Sequence, residues 1–98
     1  MVSLFSWIGR KRRRKAEIEV LYQEAVSRAE AAYSKADDRA EAIRDAMVRR
    51  AVRDGYRVDE RTAAAARVCQ TAVEEAEVER QEAVAEAARQ RELALFDL

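Results

Sequence analysis

No proline occurs anywhere in the 98 residues of this chain, and only one strong break interrupts its helix-forming sequence. Ala, Glu and Arg are abundant here, and they lose little side-chain freedom on entering a helix. The break lies at Asp54-Gly55, where Gly can adopt the left-handed conformation that ends a helix, and Asp59 is a good N-cap residue. The sequence therefore predicts an all-α fold of two helices, at about 11–53 and 60–95, with a turn at 54–59.

Small apolar residues form a seam along each predicted helix. The first seam has an average spacing of about 3.67 residues, which matches an eleven-residue repeat and favours nearly straight helices. The second seam is interrupted at Arg80. We therefore predict an extended antiparallel two-helix hairpin, an Ala-rich coiled coil. The first seam is Ile18, Tyr22, Ala25, Ala29, Tyr33, Ala36, Ala40, Ile43, Met47 and Ala51, and the second is Val58, Thr62, Ala65, Cys69, Val73, Ala76, Ala83, Ala87 and Leu95.

Opposite charges predict a register for this hairpin. In an antiparallel pair the numbers of facing residues have a nearly constant sum, and a turn centred near residue 57 sets that sum at about 114. This register places Glu24 between Arg89 and Arg91. It also predicts three ion pairs at flanking positions, which are Arg28 with Glu86, Lys35 with Glu79, and Arg39 with Glu75.

The composition lacks the parts of common catalytic and cofactor sites. The chain has no His, one Cys and two Gly, so a Ser-His-Asp triad, a zinc ligand set and a Gly-rich phosphate loop are all incomplete. We therefore expect a non-enzymatic protein that uses no cofactor, metal or small-molecule substrate. Cys69 is interpreted as a packing residue. A row of glutamates is interpreted as a solvated face rather than a metal site, and its members are Glu75, Glu79, Glu82 and Glu86.

The apolar core is expected to be thin. Ala accounts for 21 residues of the chain and buries little area per helical turn. Val20, Val52 and Val78 lie off the seams, so a lone hairpin would expose them. We therefore predict that copies of the chain or partner helices complete the fold, and that the protein is a structural or assembly subunit of a larger particle or machine. Arg outnumbers Lys 16 to 3, which suggests a GC-rich genome and favours a minor structural or internal protein of a bacteriophage virion.

The N-terminal region combines an apolar arm, residues 1–9, with a basic cluster at the start of the hairpin domain, residues 10–98. The arm could fold back on the hairpin, enter a groove of a partner, or lie in a lipid interface. The cluster suggests an alternative function, a peripheral adaptor that binds anionic membrane or nucleic-acid phosphates. The predicted docking residues are Leu4, Phe5, Trp7, Ile8, Leu93, Leu95 and Phe96, and the predicted anion-binding residues are Arg10, Lys11, Arg12, Arg13, Arg14 and Lys15.

The segment Glu92-Leu93-Ala94-Leu95-Phe96 resembles the short peptide by which many bacterial replication and repair proteins bind the sliding clamp. The resemblance covers five residues and implies that Leu93, Leu95 and Phe96 enter an apolar cleft of the clamp. Glu92 stands where that peptide usually has Gln, and Ala94 replaces a small polar residue. A clamp-binding regulator is therefore a third hypothesis.

The compartment is predicted from the single thiol and from the order of the N-terminal residues. One Cys cannot build a disulfide framework, and an apolar stretch followed by cations reverses the order of a secretory signal. No stretch approaches the roughly 20 apolar residues that span a membrane. We expect a location in the cytoplasm or inside a viral particle, neither secreted nor transmembrane, with peripheral membrane contact left open.

Overall fold

The computed structural model describes residues 4–98, and the side chains of residues 5–98. Helix α1 comprises Leu4–Asp54 and helix α2 comprises Val58–Phe96. The predicted all-α antiparallel helical hairpin is confirmed. Helix α1 begins at Leu4 rather than near residue 11, because the apolar residues before the basic cluster contain no proline and continue the helix. Residues 1–3 of the predicted arm, and the side chain of the predicted docking residue Leu4, lie outside the described part.

The turn between the helices comprises three residues. Gly55 has φ 61°, and its N–H donates to the carbonyl of Ala51 at 3.0 Å, which ends α1 with a left-handed residue. Arg57 also has a positive φ, 46°, a conformation that is costly for a side chain with a Cβ. Asp59 is not the N-cap residue predicted from the sequence, because α2 already begins at Val58. Asp59 and Glu60 lie in the first turn of α2, where carboxylates favour the positive end of the helix dipole.

Arg61 joins the two ends of the turn. Its guanidinium donates to the Asp54 carboxylate, with 3.1 Å between Nη2 and Oδ2, and to the backbone carbonyl of Tyr56 at 3.3 Å. One contact is with the last residue of α1 and the other with the middle residue of the turn, so one side chain of α2 holds the chain reversal in place.

Burial follows an eleven-residue period on both helices. Eleven residues complete three turns, so residues at this spacing return to the same face of a straight helix. The buried residues on the period are Ile18, Ala29, Ala40 and Ala51 of α1, and Ala65, Ala76 and Ala87 of α2. This confirms the repeat predicted from the sequence.

Four residues assigned to the seams are exposed, and two cationic residues take seam positions. Ile43, Met47, Ala83 and Leu95 are exposed, whereas Arg44 and Arg80 are half-buried. The strict eleven-residue period explains the two cationic positions, since Arg44 lies eleven residues after Tyr33 and Arg80 eleven residues after Cys69. Arg80 therefore continues the seam of α2 rather than interrupting it.

Residue contacts group the hairpin into two compact units. The turn unit comprises Glu30–Gln81, and the end unit comprises the described residues up to Ala29 together with Glu82–Leu98. In the turn unit, Ala51 and Ala65 are fully buried on either side of the turn. In the end unit, the buried residues are Ile18, Ala29 and Ala87.

The ion pairs predicted from the sequence are wrong. Among residues 4–98, Arg28, Lys35 and Arg39 form no ion pair with the predicted glutamates, and Glu24 pairs with neither Arg89 nor Arg91. The ion pairs between the helices are instead Glu30 with Arg80 and Glu19 with Arg91. Exposed ion pairs contribute only about 0.2 to 1 kcal/mol each, so small differences in geometry decide which pairs form.

Candidate interaction surfaces

A cluster of Glu, Tyr and Arg joins the two helices of the turn unit. The Arg80 guanidinium donates to Glu30 at 2.9 Å, forms an ion pair with Glu77, and lies 5.5 Å from the centroid of the Tyr33 ring. The hydrogen bonds that the Arg80 guanidinium donates to Glu77 and Glu30 raise the pKa of Arg80 above its ordinary value. The Arg80 hydrogen bond lowers the pKa of Glu77. The cluster locks the side chain of Arg80 over an aromatic face.

The end unit contains a matching cluster. The Nε atom of Arg91 lies 3.2 Å from Glu19 Oε2, and the Arg91 guanidinium lies 4.7 Å from the centroid of the Tyr22 ring. Each member lies eleven residues from its counterpart in the turn unit, from Glu19 to Glu30, from Tyr22 to Tyr33 and from Arg91 to Arg80. The sequence analysis missed both clusters. The repeated Glu-x-x-Tyr at eleven-residue spacing was the signal that could have revealed them.

The same side of the turn unit continues toward Cys69. Asp37, Glu41 and Arg44 of α1 line a shallow groove with Cys69 and Val73 of α2. We call this side the paired flank, because the Arg80 cluster lies on it. Cys69 is a buried free thiol, which agrees with its predicted packing role. The hydrogen bonds that Arg44 donates to the Asp45 carboxylate raise the pKa of Arg44.

Three carboxylates lie close together on the paired flank. Oxygen atoms of Asp37, Asp38 and Glu41 all lie within 4.8 Å of one another. All three belong to one helix, and Asp38 and Glu41 are exposed. Exposed acidic clusters of this kind are common on helices, so this cluster by itself does not indicate a metal site.

The opposite side of the turn unit has a different charge distribution. Met47 and Arg50 of α1 line a groove with Arg61 and Ala64 of α2, which places these residues on one flank. Arg39 lies three turns before Arg50, and Glu75 lies three turns after Ala64, so both belong to the same side. We call this side the open flank. Asp54 also lines this groove and pairs there with Arg61. Farther from the turn or beside this pair lie exposed charged residues that form two rows: Lys35, Arg39 and Arg50 on α1, the basic row, and Glu75 and Glu79 on α2, the acidic row.

Apart from Asp54 and Arg61, which pair with each other, the charges named here on the open flank have no partners within the part of the chain that the structure describes. No ion pair or hydrogen bond engages the side chains of the basic row or the acidic row, although the paired flank forms several. Large apolar side chains are exposed beside these charges: Ile43 is 44% exposed and Val68 is 49% exposed. The open flank therefore presents complementary charges and apolar area that the hairpin itself does not use.

The basic cluster lies inside α1, beginning in the second turn rather than at the helix N-terminus expected from the sequence. Lys11 Nζ lies 5.0 Å from the centroid of the Trp7 ring, and Arg14 forms an ion pair with Glu17 at 3.2 Å. Within residues 4–98, no ion pair or hydrogen bond engages the remaining four cations, Arg10, Arg12, Arg13 and Lys15.

The predicted docking residues at the two ends of the chain remain largely uncovered. Phe5 is 85% exposed, Phe96 is 87% exposed, and Trp7 and Leu93 are also exposed, whereas Ile8 is half-buried. Leu95 is 36% exposed on the last turn of α2. The N-terminal segment therefore continues α1 and does not fold back to cover Phe96.

A groove in the end unit marks where the last residues of α2 meet α1. Arg14 lines this groove with Leu93, Asp97 and Leu98. The first turns of α1, with Phe5 and Trp7, therefore lie beyond the residues that α2 covers.

In the part of the chain that the structure describes, neither helix contains a segment long and apolar enough to cross a membrane. No protein-family model, curated protein or solved structure matches this chain.

Proposed function

We propose that this protein is a non-enzymatic assembly subunit, a helical hairpin that is completed by packing against further helices in a larger particle or machine. The observation that supports the proposal is the small size of the buried core. Of the eight buried apolar residues among those described, six are Ala, and no large side chain is fully buried.

The exposed apolar residues support the same proposal. Leu21, Ile43, Val52, Val68 and Val78 are all exposed on the two helices. A two-helix hairpin with an alanine seam buries little area, and helices supplied by other chains would stabilise it by mass action. The partners are other protein subunits, copies of this chain among them. Within this class, composition favours a minor structural or internal protein of a bacteriophage virion.

The experiment is circular dichroism of the isolated chain over a hundredfold range of concentration. The proposal expects helicity and the unfolding midpoint to rise with concentration, because association stabilises the folded state. A monomer that is fully helical and unfolds at the same midpoint over the whole range contradicts the proposal.

A second candidate function is supported by the N-terminal segment. Exposed Phe5 and Trp7 lie next to the unpaired cations of the basic cluster on the same helix. An exposed apolar segment beside cations is typical of helices that lie at the interface of an anionic membrane. The alternative function is therefore a peripheral adaptor that binds an anionic lipid surface through Phe5, Trp7 and residues 10–15.

Trp7 is the only Trp of the chain, so its fluorescence reports directly on this segment. The adaptor hypothesis expects a blue shift with vesicles that contain phosphatidylserine, no shift with phosphatidylcholine alone, and loss of the shift in high salt. Replacing Arg10, Arg12, Arg13 and Lys15 with Gln should abolish the shift.

The matched control replaces four exposed cations elsewhere, Arg28, Arg49, Arg53 and Arg67, with Gln and should leave the shift intact. Equal loss in both variants contradicts a specific role for the N-terminal cations. Binding to duplex DNA with an unchanged Trp7 spectrum would point to phosphate contact without lipid insertion.

A further inference from the structure

We infer that the open flank of the turn unit is a self-complementary interface, on which a second copy of this chain docks to form an antiparallel four-helix bundle. The inference rests on the proposed assembly function and names its first partner. The basic row, Lys35, Arg39 and Arg50, and the acidic row, Glu75 and Glu79, are the residues that bring the two copies together.

Unpaired positive and negative charges lie on different helices of this flank. The unpaired charges of this flank are cationic on α1 and anionic on α2, whereas Asp54 and Arg61, which have the opposite signs, pair with each other. No residue of the basic row or the acidic row forms an ion pair within the described hairpin, whereas Glu30 and Arg80 on the paired flank do so at 2.9 Å. A surface that is basic along one helix and acidic along the next is complementary to itself after a rotation that exchanges the two helices.

The charges of the open flank also determine which two-fold axis can relate the two copies. A two-fold axis perpendicular to the helices would place α1 of one copy on α1 of the other, and the two basic rows would repel. A two-fold axis parallel to the helices places α1 of one copy on α2 of the other, in antiparallel orientation. The charges therefore select the second arrangement, which is the geometry of an antiparallel four-helix bundle.

The register between α1 of one copy and α2 of the other follows from this symmetry. An axis parallel to the helices keeps both turns at the same level, so residues of α1 meet the residues of the partner's α2 that lie the same distance from the turn. Arg39 lies seventeen residues before Tyr56 and Glu75 lies nineteen residues after it, so they lie within about half a turn of the same level. Lys35 and Glu79 also lie at nearly the same distance from Tyr56 along the chain, so they too lie at nearly the same level. The charge pairs absent from the hairpin thus form between two copies.

The apolar residues of the flank lie between these charges. Ile43 and Met47 of α1 and Val68 of α2 are exposed in the hairpin at 44%, 37% and 49%. In the proposed dimer they form the central strip, and the charged rows form its edges. This is the usual order of a protein interface, with an apolar centre and a polar rim.

The test is sedimentation equilibrium of the full chain with charge-reversed variants, with circular dichroism of each sample. The inference expects a dimer. Arg39→Glu alone and Glu75→Arg alone should each weaken it about tenfold or more, because each dimer contains two such pairs. The double variant should restore dimerisation, and so should an equimolar mixture of the two single variants. Arg49→Glu, on an exposed position outside the flank, is the matched control and should have no effect.

The outcomes separate this inference from the proposed function. Dimers that are insensitive to Arg39→Glu and Glu75→Arg, or a double variant that does not recover, overturn the open-flank interface and leave the assembly role standing. A monomer of low helicity also overturns the interface and leaves the assembly role standing, since other partners would then be needed. A monomer that is fully helical and stable overturns both.

Discussion

The guanidinium of Arg80 lies over the ring of Tyr33, 5.5 Å from the ring centroid, and so joins α2 to α1 through a cationic residue within an alanine seam. Glu30 and Glu77 hold the same guanidinium from two sides. A half-buried cation that is held by two carboxylates and an aromatic face is fixed in one geometry, and this restricts how the two helices can slide past each other.

Replacing Arg80 with Ala should therefore destabilise the hairpin. The change removes the ion pair to the opposite helix and the contact with Tyr33, and it leaves Glu30 without its partner. The matched control is Arg89→Ala, because Arg89 pairs only with Glu86 of its own helix. We expect the urea midpoint to fall at least twice as far for Arg80→Ala as for Arg89→Ala. Equal losses would indicate that the cluster adds nothing beyond an ordinary exposed ion pair.

Two substitutions in the turn should change the stability of the hairpin in opposite directions. Gly55 has φ 61° with no atom near the position of an added Cβ, so Gly55→Ala should cost about 1 to 2 kcal/mol from backbone strain alone. Arg57 has φ 46° and a side chain, so Arg57→Gly should relieve strain and stabilise by up to about 1 kcal/mol. Urea unfolding of both variants measures the two changes in stability. Changes of the same sign would contradict the positive φ angles of Gly55 and Arg57.

The alanine seam should not tolerate larger residues. Ala51 and Ala65 are fully buried on either side of the turn, so Ala51→Leu should force the helices apart and destabilise by about 1 to 3 kcal/mol. Ala46→Leu adds the same group at an exposed position and serves as the control. Thermal unfolding of the two variants measures the difference. A stabilising effect of Ala51→Leu would mean that the seam has room for larger side chains.

Stability should fall in acid. Hydrogen bonds from Arg80 lower the pKa of Glu77 in the folded chain, and hydrogen bonds from Gln90 and Arg89 lower the pKa of Glu86. The unfolded chain therefore takes up protons first as the pH falls. The stabilisation is present above the ordinary pKa of 4.5 and is lost as the pH falls below it.

Urea unfolding at neutral pH and near pH 3 measures this loss. Glu77→Gln should lower stability at neutral pH and reduce the difference between the two conditions. The exposed residue Glu24, which has no ion-pair partner among the described residues, provides the control variant Glu24→Gln. If Glu77→Gln and Glu24→Gln change the pH dependence equally, the contact with Arg80 does not lower the pKa of Glu77.

Particular residues show why part of the fold could be predicted from the sequence. The lack of proline and the Gly55 break predicted two helices and the position of the turn. The seam spacing predicted the eleven-residue repeat, and Ala29, Ala40 and Ala51 are buried at that spacing. The start of α1 at Leu4 was missed, because the apolar segment was interpreted as a separate arm although it contains no proline that would end a helix.

The sequence by itself determined the helices, the turn and the face of each helix that is buried. These follow from backbone conformation and from the period of small apolar residues, and both act locally along the chain. Only the tertiary structure decided which charges pair, because cations and carboxylates lie on both flanks and exposed pairs differ by less than about 1 kcal/mol. In the turn unit Arg80 pairs with Glu30 and lies over Tyr33, whereas Arg39 and Glu75 have no ion-pair partners among the described residues.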